Sequence, residues 1–174
     1  GVHGLGGSAR DEIQTGIAEE MALFSAVTVR FDFPAHGENP MTDKDFTVKN
    51  CMRVLLETAA WAKESYPLVE DLCVFATGFG AYITLLCVDD LLQLPGRLKL
   101  VVQTPSVLMH ETLLAMVRRS RETFRLMEGF TFPTERPFTV NYDFYEELRL
   151  NIALNSYPIP MLILHGEEDA YIRL

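Results

Sequence analysis

Asp71-Leu72-Cys73-Val74-Phe75-Ala76-Thr77-Gly78-Phe79-Gly80-Ala81-Tyr82 is the stretch from which the rest of the chain is read. Leu72 to Ala76 is an unbroken apolar run, as expected of a strand buried on both faces of a parallel sheet. The run breaks at Thr77-Gly78-Phe79-Gly80-Ala81, where small residues crowd together. Apolar side chains resume at Tyr82, Ile83, Leu85 and Leu86, spaced to cover one side of a helix. The stretch therefore predicts a strand, a tight turn and a helix in immediate succession.

On its N-terminal side, Gly1 to Gly7 (GVHGLGG) is too rich in glycine for regular helix and reads as a loop. Ser8, with Asp11 three residues on, is a capping-box-like helix start. Ile13, Ile17, Met21 and Phe24 then predict a buried stripe. Ala26 to Phe33 is a β-rich run ended by Pro34, and Pro34 to Pro40 forms a second loop. Phe46 to Lys63 predicts a helix with Val48, Met52, Leu55, Leu56, Ala59 and Ala62 turned inward.

On the C-terminal side, Pro95-Gly96 marks a turn, Leu98 to Val102 a strand, and Met161 to His165 another. Strands alternating with helices predict an α/β fold, a doubly wound and mostly parallel sheet with helices on both faces. Residues 105–160 interrupt the alternation. They hold a helical pattern near His110 to Met127, a Gly/Pro stretch, and another helix near Tyr142 to Leu154. An insertion of that length reads as a short helical cap, set into a core formed by 1–104 and 161–174. Arg118, Arg119, Arg121 and Arg125 read first as a solvated helix face, and alternatively as a cationic rim to a pocket.

A chain of 174 residues suffices for one domain with a real core. A net charge of -9 argues against nucleic-acid partners and anionic membrane surfaces, both of which need a basic face. No apolar run approaches the ~18 residues of a membrane span. Cys51, Cys73 and Cys87 show no metal-binding spacing and read as buried free thiols, suiting a reducing, cytoplasmic setting. The scattered histidines give no zinc pattern, so no metal and no cofactor is expected.

Strand, crowded turn and helix form the context of the nucleophile elbow, G-x-S-x-G. Here it reads Ala76-Thr77-Gly78-Phe79-Gly80, with Gly78 where the serine belongs. Taking Thr77 as the nucleophile instead would put Phe75 and Phe79 at the two small-residue positions, where their rings would clash. Other stretches fit the same context. His3-Gly4-Leu5-Gly6-Gly7 resembles the HG-x-G loop of the α/β-hydrolase superfamily. Arg30-Phe31-Asp32-Phe33 with His36-Gly37-Glu38 resembles its R-F-D-F-x-G-H-G-E-S segment. Leu164-His165-Gly166-Glu167-Glu168-Asp169 resembles the L-H-G-x-x-D segment that carries the triad acid. The RFDF segment, the modest insertion, and Arg136-Pro137-Phe138 leading to Tyr142-Asp143-Phe144-Tyr145 look most like the cinnamoyl/feruloyl-esterase-like serine hydrolases. Ala35 and Asn39 depart from that pattern, which has glycine and serine there.

The resemblance implies roles. Gly78 takes the nucleophile position, Asp169 that of the triad acid, and the backbone N–H groups of Leu5 and Phe79 those of the oxyanion donors. None of His3, His36, His110 or His165 matches the position of the family's base. His3 and His165 read as loop braces. In the family the third strand lies between the fourth and fifth, and only Gly1-Val2 could represent it here, so the chain is expected to be truncated at both ends. The implied function is a carboxylic ester hydrolase scaffold for small acyl or aromatic esters, inactive as written. A glycine at the elbow suits a deliberately inactivated protein or a natural non-catalytic relative. The alternative is a pseudoenzyme that binds a small acyl ligand without turnover. Dehalogenation ranks last, because it needs an elbow aspartate. The oligomeric state is not legible.

Overall fold

A computed structural model describes residues 1–172. The apolar run forms β1 (Asp71–Thr77), and the helix α3 (Gly78–Leu86) starts at the very next residue. β1 pairs in parallel with β2 (Arg97–Gln103), and β2 in parallel with β5 (Met161–Leu164). On the far side of β1, Val2 bridges both Ala76 and Phe31, each in parallel. Its N–H donates to Phe75 O at 2.9 Å and its carbonyl accepts from Thr77 N at 3.1 Å. The order across the sheet is thus Phe31, Val2, β1, β2, β5. A single residue fills the place expected of a third strand.

The register is continuous. Thr77 stands beside Gln103 and Gln103 beside Leu164, so three strands end on one level. α2 (Val48–Ser65) begins after Thr47, whose side chain accepts from Asn50 N, and it buries Val48, Cys51 and Leu55. α3 is buried along almost its whole length, from Phe79 to Leu85. A short α4 (Val88–Leu91) follows it.

Residues 105–160 contain α5 (Met109–Val117), α6 (Arg121–Arg125), the antiparallel hairpin β3 (Phe130–Phe132) with β4 (Phe138–Val140), and α7 (Tyr142–Leu150). The single helix expected from His110 to Met127 is two. Arg118 takes a left-handed conformation (φ 52°), and Ser120 caps the second piece by accepting from Thr123 N. Arg121 of the arginine cluster is ion-paired with Glu146 on the surface, which fits a solvated face.

Several expectations fail. The first helix, α1 (Glu12–Ala22), starts after Asp11 rather than Ser8, and its predicted stripe is not buried: Ile13, Met21 and Phe24 are exposed. Its buried residue is Gln14, which donates to Val2 O at 3.1 Å, so a polar contact seats the helix. Residues 26–33 form no strand beyond the bridge of Phe31 to Val2; Gly1 N also donates to Val29 O at 2.7 Å. Cys73 is exposed, near the start of β1 where the strand's residues are not yet covered, while Cys51 and Cys87 are buried as expected. α7 ends at Leu150, short of Leu154.

Candidate active site

Gly78 sits where β1 gives way to α3, with φ +47°. That is the left-handed region, which costs other residues about 1–2 kcal/mol and glycine almost nothing. Thr77 before it is still extended (φ -120°, ψ 140°), so the chain reverses within one residue. A β-carbon on Gly78 would meet only Gly4 Cα, at 4.0 Å, and the position is half-exposed. A side chain there would project into open space beside the Gly4 loop. Gly80 is the opposite case. A β-carbon there would run into the His3 carbonyl oxygen and lie 2.9 Å from Val2 Cγ1 and Val2 O. Gly80 is therefore fixed by close crossing of the two chains, and Gly78 by backbone conformation.

Phe79 is held by its ring. It packs against Phe33, Phe46, Tyr82 and Phe144, with centroids 5.5 to 6.1 Å away. Its N–H is among the first of α3, where no carbonyl one turn back exists to receive it. Leu5 lies in the turn Gly4–Gly7, closed by Gly7 N donating to Gly4 O at 3.1 Å. Neither the Leu5 nor the Phe79 N–H has an acceptor among the described residues.

Two buried imidazoles lie behind this loop. His3 presents Nδ1 to Gly4 O at 2.8 Å and accepts from Phe33 N at Nε2, 3.0 Å away. His36 presents Nδ1 to Pro34 O at 2.8 Å and accepts from Gly6 N at Nε2, also 3.0 Å away. Burial lowers the pKa of both, and His36 is brought down to about 4. His3 thus braces a loop, as its sequence context suggested. Arg136, in the hairpin loop before β4, donates to the carbonyls of His36, Gly37, Asn39 and Met41. Asp32 accepts from Ala9 N and Glu38 N. His36 and Arg136 stood out in the sequence only as parts of resembling segments; their bracing roles were not read there, because their partners are distant or are backbone atoms that leave no pattern.

Asp169 lies in the loop beyond Leu164, where β5 ends level with Thr77. Two strand spacings put that edge roughly 10 Å from Gly78. Its Oδ1 accepts from Ile172 N and Tyr171 N, which hold the carboxyl below its usual range. His165 Nε2 contacts Ile172 O at 2.9 Å, bracing the same turn. No histidine donates to Asp169 among the described residues. The structure thus sets Gly78 and Phe79 beside the Gly4 loop that carries Leu5, while Asp169 lies in the loop after β5. Two cavities, of about 260 and 390 Å³, lie elsewhere and include none of these residues. No helix among the described residues is long and apolar enough to cross a membrane.

No family model matches the sequence, and no curated protein matches it. Solved structures do match. A protein of Agrobacterium vitis S4 provisionally assigned as a hydrolase superposes with a TM-score of 0.79 at 20% identity. Est1E of Butyrivibrio proteoclasticus, solved with ferulic acid, gives 0.75 at 16%. Mouse α/β-hydrolase domain-containing protein 10 gives 0.74 at 15%. Each alignment covers 99% of this chain and 69% of the other. The chain has the α/β-hydrolase fold.

Proposed function

We propose that the chain is an ester-hydrolase scaffold that receives small acyl or aromatic esters at the elbow, with its chemistry silenced at Gly78. One observation carries this reading: a left-handed Gly78 with open space where a side chain would project, beside two N–H groups without acceptors. In ester hydrolysis an oxygen at that point attacks the acyl carbon, and the charge that develops on the carbonyl oxygen needs such donors. Residues 105–160 serve as the lid, which is supported by Phe144 packing on Phe79 and Phe138 on His36. Asp169 takes the acid's place. The ferulic acid in Est1E supports an aromatic acyl group as a probe. Free thiols support a reducing, cytoplasmic setting.

The test is Gly78→Ser, assayed with p-nitrophenyl butyrate and, for binding, with ferulate. Hydrolysis above the unsubstituted protein supports the reading. A second reading, a non-catalytic acyl-binding protein, is favoured by the glycine at the nucleophile position itself. It predicts ferulate binding without turnover after the serine is restored. A folded variant that neither binds nor hydrolyses sinks both.

A further inference from the structure

The imidazoles of His3 and His36 each touch one main-chain atom of the loop that carries Leu5, and both tautomers are forced. A backbone N–H can only donate, so Phe33 N requires a lone pair at His3 Nε2, and Gly6 N requires one at His36 Nε2. A carbonyl can only accept, so Gly4 O and Pro34 O require a proton on each Nδ1. Both rings are therefore neutral and Nδ1-protonated.

Their targets are consecutive peptide planes. His3 donates to Gly4 O, which belongs to the plane joining Gly4 to Leu5. His36 accepts from Gly6 N, in the plane joining Leu5 to Gly6. Fixing both planes fixes φ and ψ of Leu5. A trans peptide points its N–H opposite its C=O. Gly4 O is turned toward His3 and Gly7 N, so the Leu5 N–H is turned away from both. We propose that His3 and His36 are positioning residues: a pair of tautomer-locked imidazoles that aim the Leu5 amide at the ligand's developing or resident negative oxygen, with Arg136 holding His36 in place.

The inference rests on the site reading above only for the ligand; the aiming itself stands on the loop geometry. Gly6 supports it, since its φ is +78° and a β-carbon there would come within 2.6 Å of Thr134 Cγ2, so the turn is built for glycine at this point. The charged groups that face the rings are Asp32, whose Oδ1 lies 3.9 Å from His3 Nε2, then Asp11, and Arg136 on the hairpin side. The remaining walls are aromatic: Phe33 at His3, and Phe46 and Phe138 at His36. Protonating either ring turns an acceptor into a donor aimed at another donor and breaks the latch.

Nitrogen-detected NMR of the unsubstituted protein at pH 7 should show a protonated Nδ1 and a bare Nε2 on both rings. An Nε2-protonated or charged ring on either overturns the proposal, and this reading needs no variant to fold. His36→Gln offers an amide oxygen to Gly6 N, whereas His36→Ala offers nothing. Residual dipolar couplings of the Leu5 N–H should therefore match the unsubstituted value in the Gln variant and depart from it in the Ala variant. Ferulate affinity should fall about tenfold in the Ala variant and recover in the Gln variant, as for one charge-assisted hydrogen bond misaimed. Equal Leu5 couplings in all three proteins refute the latch. If the unsubstituted protein does not bind ferulate, the site reading fails, while tautomers and couplings still decide the positioning role.

Discussion

Acid should unlatch this protein through His36, and the size of the effect follows from its surroundings. The free imidazole titrates near 6.5, whereas burial brings His36 down to about 4. Over that interval the unfolded chain binds a proton that the folded chain refuses. The sign is therefore fixed: the native state keeps its full advantage above about pH 6.5, loses it as pH falls toward 4, and loses no more below. At about 1.4 kcal/mol per pH unit the loss is ~3 kcal/mol. That is a large fraction of the 5–15 kcal/mol typical of a domain. His3 shifts in the same direction and adds to the slope. Carboxylates also titrate near pH 4, so the measurement must be differential. Urea denaturation followed by circular dichroism at pH 7, 6, 5 and 4, at fixed ionic strength, should be run on the unsubstituted protein and on His36→Gln. Glutamine keeps the acceptor for Gly6 N and cannot titrate. Relative to the parent, the variant should gain ~3 kcal/mol between pH 7 and pH 4. A difference that stays constant across that range would show that His36 does not carry the acid sensitivity.

Other outcomes follow from the same geometry. Gly78→Ser should cost about 1–2 kcal/mol for its left-handed backbone, whereas Gly80→Ala should cost more, because its methyl group displaces Val2 and His3; matched urea midpoints for the two would contradict the elbow geometry. Arg136→Lys should destabilise by about 1–3 kcal/mol, since an ammonium cannot reach four carbonyls as the guanidinium fork does, and an unchanged melting temperature would contradict that. With Ellman's reagent, Cys73 should react in native buffer. Cys51 and Cys87, buried and with their thiols pushed up, Cys87 to about 12, should react only after denaturation; three native-state equivalents would refute the burial described.

Where structure depends on neighbours in sequence, it was legible. The run from Leu72 to Ala76 and the small residues after it specify β1, the turn and α3 almost unaided, and the β-rich runs at 98–102 and 161–165 specify most of β2 and all of β5. The side-chain pattern of Ile13, Met21 and Phe24 says that α1 has an apolar face but not what covers it; what seats the helix is an amide from Gln14. Ala26 to Phe33 has strand composition, yet a ladder needs a partner, and Val2 supplies one bridge. The abrupt strand-to-helix turn at Gly78 was readable because it is a local motif. Asp169 was readable as a residue just past a strand's end, and it does follow β5. The hold of Arg136 on residues 36–41 joins segments about a hundred residues apart, and its acceptors are carbonyls that any residue would offer.

Val2 is wedged between Phe31 and Ala76, and both partners lie far along the chain. Closing such distant contacts sacrifices chain freedom before any pairing is gained, whereas β1 and β2 meet across a short helical crossover. The order of assembly follows: the β1–α3–β2 unit condenses first, and the N-terminal residues dock onto it afterwards. Trimming the side chain at Val102 should then slow refolding, while Val2→Ala should mainly hasten unfolding. The turn that carries Leu5 would be the last part of the molecule to come into being, docking against an already formed strand-to-helix junction.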